Sequence, residues 1–156
     1  MAFEINTSIL DSVKSTVTKI EEVINPTIQD VLNRAANLIK DLQTQDQMFD
    51  KGQKSTGLSI TPSYAQSTIS IKQKKGQPTD RVTLKDTGDY YESIIVDAQA
   101  TQLIIRSNIT YAVFLANRYG SDVLGLTVEN LTNIVNQLIV PQLDKNINNI
   151  IIENQL

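Results

Sequence analysis

The chain contains no histidine, no cysteine and no tryptophan. Without imidazole or thiolate it builds no Cys/His zinc site, no disulfide framework and no Ser-His-Asp or Cys-His catalytic group. Long apolar runs are missing too, since none reaches the roughly 18 consecutive apolar residues that a membrane span needs. The first residues, Met1-Ala2-Phe3-Glu4, offer neither a basic nor an apolar signal region, so no signal peptide is expected. Zero cysteines fits synthesis in a reducing cytoplasm. What is present is a chain of 156 residues, 40% hydrophobic and 20% charged, with a net charge of −3. That length suits one domain over 1–156, and the hydrophobic share is too high for a disordered chain. Asparagine and glutamine number 13 each and isoleucine 20, so uncharged amides are available for packing against neighbours.

Apolar periodicity predicts an α+β fold: N-terminal helices, a small antiparallel sheet with a hairpin near 93–107, and a long C-terminal helix. Ile9, Val13, Val17, Ile20 and Ile24 form one helical stripe over 8–24, capped by Asn6, Thr7 or Ser8. Asn25-Pro26 then divides this helix from a second over 26–49, or kinks a single one. The second stripe is Ile28, Val31 or Leu32, Ala35, Leu38 or Ile39, and Leu42. After a polar connection at 51–57, Thr61-Pro62 starts a further helix carrying Tyr64, Thr68 and Ile71 and ending at Gly76. A strand over Thr68–Lys72 competes with it, because Thr-Ile-Ser-Ile-Lys alternates. The stretch 76–80 is a loop. Ser93–Asp97 and Gln102–Ser107 form a hairpin whose apolar triplets allow both faces to be covered. A short helix spans 111–119. Thr127 caps the last helix, with Leu131, Ile134 or Val135, and Leu138 on its stripe, and Pro141 kinks or breaks it before Leu143, Ile147 and Ile150.

Charge is unevenly placed. Residues 1–50 hold four basic and eight acidic groups and 86–156 hold three and eight, whereas 51–85 hold seven basic groups and one acid. A basic middle between acidic ends suits an acidic partner or passing DNA, with Lys72, Lys74, Lys75 and Arg81 as the contacts, or else a solvated face. The neighbouring lysines are expected to be exposed. Asp86, Asp89 and Glu92 are three apart and on a helix would share a face, but Asp86 or Thr87 as a cap accounts for them better than a metal does. No phosphate-loop spacing occurs, and neither catalysis nor a cofactor is expected. A nucleic-acid-binding module and a small carboxylate or metal hydrolase are the other classes. Tyr90, Tyr91, Tyr111, Phe114 and Tyr119 gather in the later chain, as subunit interface or as core.

The order Leu84, Thr87, Gly88, Ser93, Ile94, then Tyr111, Ala112, Leu115, Gly120 and a closing helix resembles the tail-completion and minor tail proteins of tailed bacteriophages. The resemblance covers about residues 50–145, leaving 1–50 as a helical N-terminal extension of a 51–156 α+β core. Asn117-Arg118-Tyr119-Gly120-Ser121 stands where the family has Glu-x-Gly-Thr, and LGLTVEN at 124–130 replaces a Pro-Phe segment. The resemblance implies a virion structural protein of the neck or tail, made in the host cytoplasm. It implies a homo-oligomeric ring that meets portal, adaptor or tail-tube proteins and has no membrane partner. Gly88 is expected to let the backbone pack closely.

Overall fold

The apolar stripe from Ile20 onward draws the N-terminal helix onto the end of the chain. A computed structural model describes residues 7–99 and 101–154. Helix α1 (Thr7–Arg34) lies antiparallel to the last helix, as its cross-links show: Lys19 Nζ donates to Asn154 Oδ1 at 2.7 Å, and Asn146 Nδ2 donates to Thr27 Oγ1 at 2.8 Å. The described part of that last helix therefore ends opposite Lys19. Ile20 and Ile24 are half-buried, but Ile9, Val13 and Val17 are exposed, so the first part of the predicted stripe has no cover within the described chain. Asn6, one of the expected caps, lies outside the described residues.

No helix boundary forms at Asn25-Pro26; α1 runs straight through Pro26. The proline ring is exposed, so the carbonyl it leaves unbonded one turn back, at exposed Glu22, can turn to water. Thr27, the next residue, is buried against Asn146 and anchors the helix there. The interruption comes instead at Ala35 (φ −88°, ψ 4°), followed by α2 (Ala36–Asp41) and a wider π-type stretch, Leu42–Asp50. Val31, Leu32 and Ile39 take the buried positions, and Leu38 is exposed.

Thr61-Pro62 does not start a helix either. Residues 61–65 remain a loop, and α3 (Gln66–Lys74) begins after an extended Ala65. The cause is Tyr64, whose hydroxyl accepts from the backbone N–H of Thr83 (2.9 Å) and Leu84 (3.1 Å) and so is held outside the first turn. Over 68–72 the helix forms and the competing strand does not. Gly76 follows it at φ +65°, in the left-handed region expected of a helix end.

A four-residue helix α4 (Asp89–Glu92) leads into the hairpin, β1 (Ile94–Ala98) with β2 (Leu103–Ser107). The strands pair antiparallel in the register Ile94↔Ser107 through Ala98↔Leu103, and they form the whole sheet. One face is covered rather than both: Ile94, Val96, Ala98, Leu103 and Ile105 pack inward, whereas Ile95, Asp97, Ile104 and Arg106 lie on the opposite face, half-buried or exposed. Helix α5 (Ala112–Tyr119) and a 3₁₀ turn at Ser121–Val123 follow. Thr127 then caps α6 (Val128–Ile134), its Oγ1 accepting from Asn130 N–H. A π-type turn, Val135–Ile139, carries α6 into α7 (Val140–Glu153), so Pro141, which follows that turn, does not break the helical run. The fold is α+β, with a continuous helical run from Val128 to Glu153.

Two hydrophobic clusters support it. The first joins Met48, Ile60, Val82, Tyr90, Tyr91, Ile94, Tyr119 and Val123. The second joins Val31, Leu32 and Ile39 to Ala98, Leu126, Ile134 and Ile139, so the N-terminal and C-terminal helices share one core. Ile105 packs against both clusters.

Candidate interaction surface

Four of the nine motif residues meet in or against the first cluster. Ile94 is buried in it, and Leu84, Ala112 and Leu115 pack against its edge. Leu84 adopts φ +55°, a conformation that is uncommon for a residue with a branched side chain. Three groups hold it: Tyr64 Oη receives its N–H, Tyr91 donates to the Thr83 carbonyl, and Lys85 N–H reaches Thr83 Oγ1 at 3.3 Å. Ser93 Oγ donates to the Tyr90 carbonyl (2.6 Å) and lies 2.7 Å from Ser107 Oγ, tying the end of α4 to β2. Neither Asp86 nor Thr87 caps α4: the N-cap is Gly88, which has no side chain to cap with, and Thr87 Oγ1 makes only a long 3.4 Å contact with Asp89 N–H.

Gly88 has a reason other than close packing. A Cβ built there would meet nothing within 4 Å, and the glycine is required by its φ of +112°. Gly120 is the position where space runs out: its φ is +98°, and a Cβ would collide with Asp122 Oδ1 and come within 3.0 Å of Lys54 Nζ. Tyr111 precedes α5 and is part-exposed, its ring centroid 6.4 Å from that of Tyr90.

Of the seven cations of the basic segment, Lys72 is buried, Lys54, Arg81 and Lys85 are half-buried, and Lys51, Lys74 and Lys75 are exposed. Lys72 is only 4% exposed, contrary to the expectation for a lysine on a polar stretch. Its ammonium donates to Gln77 Oε1 (2.9 Å) and the Lys85 carbonyl (2.5 Å) and lies 4.8 Å from the centre of the Tyr64 ring. Such a buried cation is tolerated because its protons are satisfied and an aromatic face adds attraction. Arg81 pairs with Asp80 at 2.7 Å and donates to the Phe49 carbonyl at 2.8 Å. Lys75 pairs with Asp86, Lys51 with Asp46 (3.0 Å) and Lys54 with Asp122 (3.1 Å). Lys85 lies over the rings of Phe49 and Tyr91. Of the four cations singled out from sequence, Lys74 alone makes no ion pair and no internal hydrogen bond among the described residues. The four do not converge on one patch of outward charge.

Asp86, Asp89 and Glu92 do not share a helical face, because only the last two lie in α4. No group of three ligands able to hold a metal occurs among the described residues. Burial of Asp46 opposes its charge, but hydrogen bonds from Asn130 and Lys51 outweigh it and hold the carboxyl below its ordinary range. Burial pushes the Tyr90 hydroxyl up to about 12 and raises that of Tyr91 as well.

The aromatic group divides between the two readings. Tyr90, Tyr91 and Tyr119 are core, whereas Phe114 is 70% exposed beside exposed Val113 on α5. The start of α1 and Leu38 also expose apolar side chains, at places apart from α5. A groove of about 590 Å³ opens between the two ends of the chain, walled by Val31, Ala35, Leu38, Leu138 and Pro141. Among the described residues, no helix is long and apolar enough to cross a membrane.

Sequence reasoning missed the buried amides Gln43 and Gln47. Gln43 donates to the Val123 carbonyl (3.0 Å) and accepts from Gly125 N–H (2.8 Å). Gln47 donates to the Gly125 carbonyl (3.0 Å) and accepts from Thr127 N–H (2.8 Å) and Asn130 Nδ2 (2.9 Å). Their spacing of four residues on the inner side of a helical stripe was the available signal. The chain matches no protein-family model, no curated protein and no solved structure.

Proposed function

We propose that this chain is a structural component of a tailed-phage virion, a subunit of the neck or tail-completion ring that joins head and tail. It acts by packing against copies of itself and against portal, adaptor or tail-tube proteins, and not by catalysis. The observation that carries this reading is the meeting of the two motif-like segments, 84–94 and 111–120, in one core. The order of the motifs along the chain thus corresponds to a single packed unit. Supporting it are uncovered apolar surfaces at separate places: the first turns of α1, the outer face of α5, and the groove beside Leu38 and Pro141. A ring subunit must present two different complementary surfaces to close on itself, and one apolar face would not suffice.

The partner contact along the basic segment falls to Lys74 and to the exposed part of Lys75, because Lys72 and Arg81 are engaged inside the subunit. Sedimentation velocity of the full chain at physiological salt, followed by electron microscopy of the heaviest species, tests the proposal. Closed rings are expected. A chain that stays monomeric over the whole accessible concentration range, or that is retained on DNA in a strongly salt-dependent way as a monomer, overturns it.

A further inference from the structure

The two-stranded hairpin leaves both outer edges without a partner strand; α1 and α2 pack against β1, and Gln29 caps the Ala98 carbonyl, so the edge of β2 is the more open one. In the register Ile94↔Ser107, Asn108 N–H bonds back to the Ser93 carbonyl and Gln99 N–H to the Gln102 carbonyl. Backbone groups alternate in direction along a strand, so those of Ile104 and Arg106 also face β1, and those of Leu103, Ile105 and Ser107 face away from it. No backbone hydrogen bond to these outward groups occurs among the described residues. Among the described residues no strand other than β1 pairs with β2, and its outer edge borders a groove whose far wall is α5. A row of unpaired N–H and C=O groups is a template for one thing, another extended strand.

The side chains beside that edge select which strand. On the sheet face away from the core, Asp97 sits opposite Ile104, and Arg106 sits opposite Ile95. Asp97 and Arg106 each lack an ion-pair partner among the described residues. If a second β2 lies antiparallel to the first about a two-fold axis at Ile105, Leu103 faces the other copy's Ser107 and Ile105 faces its equivalent. Each outward residue then exchanges two backbone hydrogen bonds with the one opposite it. The same geometry sets Arg106 of one copy beside Ile104 of the other, in one cross-strand row with that copy's Asp97. Arginine does not face arginine. An arginine side chain reaches across the intervening isoleucine, roughly two strand spacings of ~4.8 Å, to the carboxylate. Asp97 and Arg106 of one chain are diagonal neighbours on this face and form no ion pair among the described residues, so both are available to a second copy.

We infer that the outer edge of β2 pairs with the β2 edge of a second copy of this chain, making a continuous four-stranded antiparallel sheet with a two-fold axis at Ile105. The contact is isologous, whereas a ring closes through heterologous contacts, so it does not rest on the functional reading above, although the edge shares a groove with Val113 and Ala116 of α5.

Because the chain has no cysteine, introduced thiols report the pairing without background. Residues 104 and 106 of opposite copies form a non-hydrogen-bonded pair, about 4.5 Å between Cα atoms, within disulfide range. The double variant Ile104→Cys/Arg106→Cys, mildly oxidised, is expected to give a covalent dimer on a non-reducing gel. Neither single variant should do so, because no residue meets its own copy at these positions. A double variant that stays single-chain while its circular dichroism matches the parent overturns the inference. So does cross-linking by the single variants to the same extent. Charge exchange gives an independent reading that introduces no thiol: Arg106→Asp should weaken association at least tenfold by sedimentation equilibrium, and Asp97→Arg/Arg106→Asp should restore it. Failure of the double exchange to restore association also counts against the pairing.

Discussion

Tyr90 and Tyr91 are neighbours in sequence with different hydrogen-bonding roles. Tyr91 donates its hydroxyl to the Thr83 carbonyl, whereas the proton of Tyr90 is retained mainly because burial disfavours the phenolate. The sign of the resulting pH effect follows from linkage. An unfolded tyrosine ionises near 10, and the folded Tyr90 does so only near 12. Its contribution to stability is full below pH 10, falls as the unfolded chain begins to release the proton, and is lost as pH rises through the folded value. A gap of that size corresponds to about 2–3 kcal/mol. Tyr90→Phe cannot ionise, so it should raise the alkaline unfolding midpoint while changing the melting temperature at pH 7 by a few degrees at most. An unchanged midpoint in an alkaline titration followed by circular dichroism would show that Tyr90 does not control this transition. Lys72 carries a related lesson. Its composition-level neighbours are exposed lysines, and only the placement of the Lys85 carbonyl and the Tyr64 ring brings it inside. No local pattern announces a carbonyl 13 residues away.

At the scale of elements, the hairpin, α5 and the C-terminal helix were legible because local and long-range preferences agree there. Ile-rich runs flank a short connection, and Thr127 supplies a cap whose bond to Asn130 forms as its position predicts. Where the reading failed, a tertiary contact outvoted a local signal. Pro26 should end a helix, yet packing of Thr27 on Asn146 carries α1 past it. Thr61-Pro62 should start one, yet the hydroxyl of Tyr64 is claimed by Thr83 and Leu84. The two π-type stretches have no simple local signature, and the open edge of β2 was hidden because alternation reveals a strand's faces but not which edge lacks a neighbour. Since Pro26 is exposed and inside the helix, it is a local defect that packing tolerates. Replacing it with alanine restores a donor and is expected to stabilise the chain by about 1–3 kcal/mol. Chemical denaturation of Pro26→Ala checks this, and a midpoint at or below that of the parent would mean the proline fits the helix without strain.

On the scale of the whole molecule, the two hydrophobic clusters are joined by the segment from Val123 to Thr127, and Gln43 and Gln47 hold that segment in place. Residues on either side belong to different clusters, Val123 to the first and Leu126 to the second. Both amides are fully buried, so removing one strands backbone groups without water. Each buried group left unpaired costs about 1–3 kcal/mol, and Gln47→Leu leaves the Thr127 N–H and Gly125 carbonyl in that state. A fall in stability of roughly 2–5 kcal/mol is expected from those groups together. Loss of coupling between the clusters should also separate the tyrosine fluorescence transition, which reports the first cluster, from the helical signal. Coincident transitions with unchanged stability would assign the clamp no such part.

Among the described residues the last cross-link between α1 and α7 is at Lys19, and this divides a continuous helix into two thermodynamic regimes. Amides near Val31 and Leu32 are backed by buried side chains, and their deuterium uptake requires opening of the second core. Those before Lys19 rest mainly on helical bonding, since Thr16 is buried but Ile9, Leu10, Val13 and Val17 are exposed, and a segment of that length alone is marginal in water. Fraying can therefore travel inward from the N-terminal end turn by turn and halt where Asn154 and Asn146 fasten the helix. A surface that covers Leu10, Val13 and Val17 would move that halting point outward, so slowed exchange in these turns is a direct measure of occupancy.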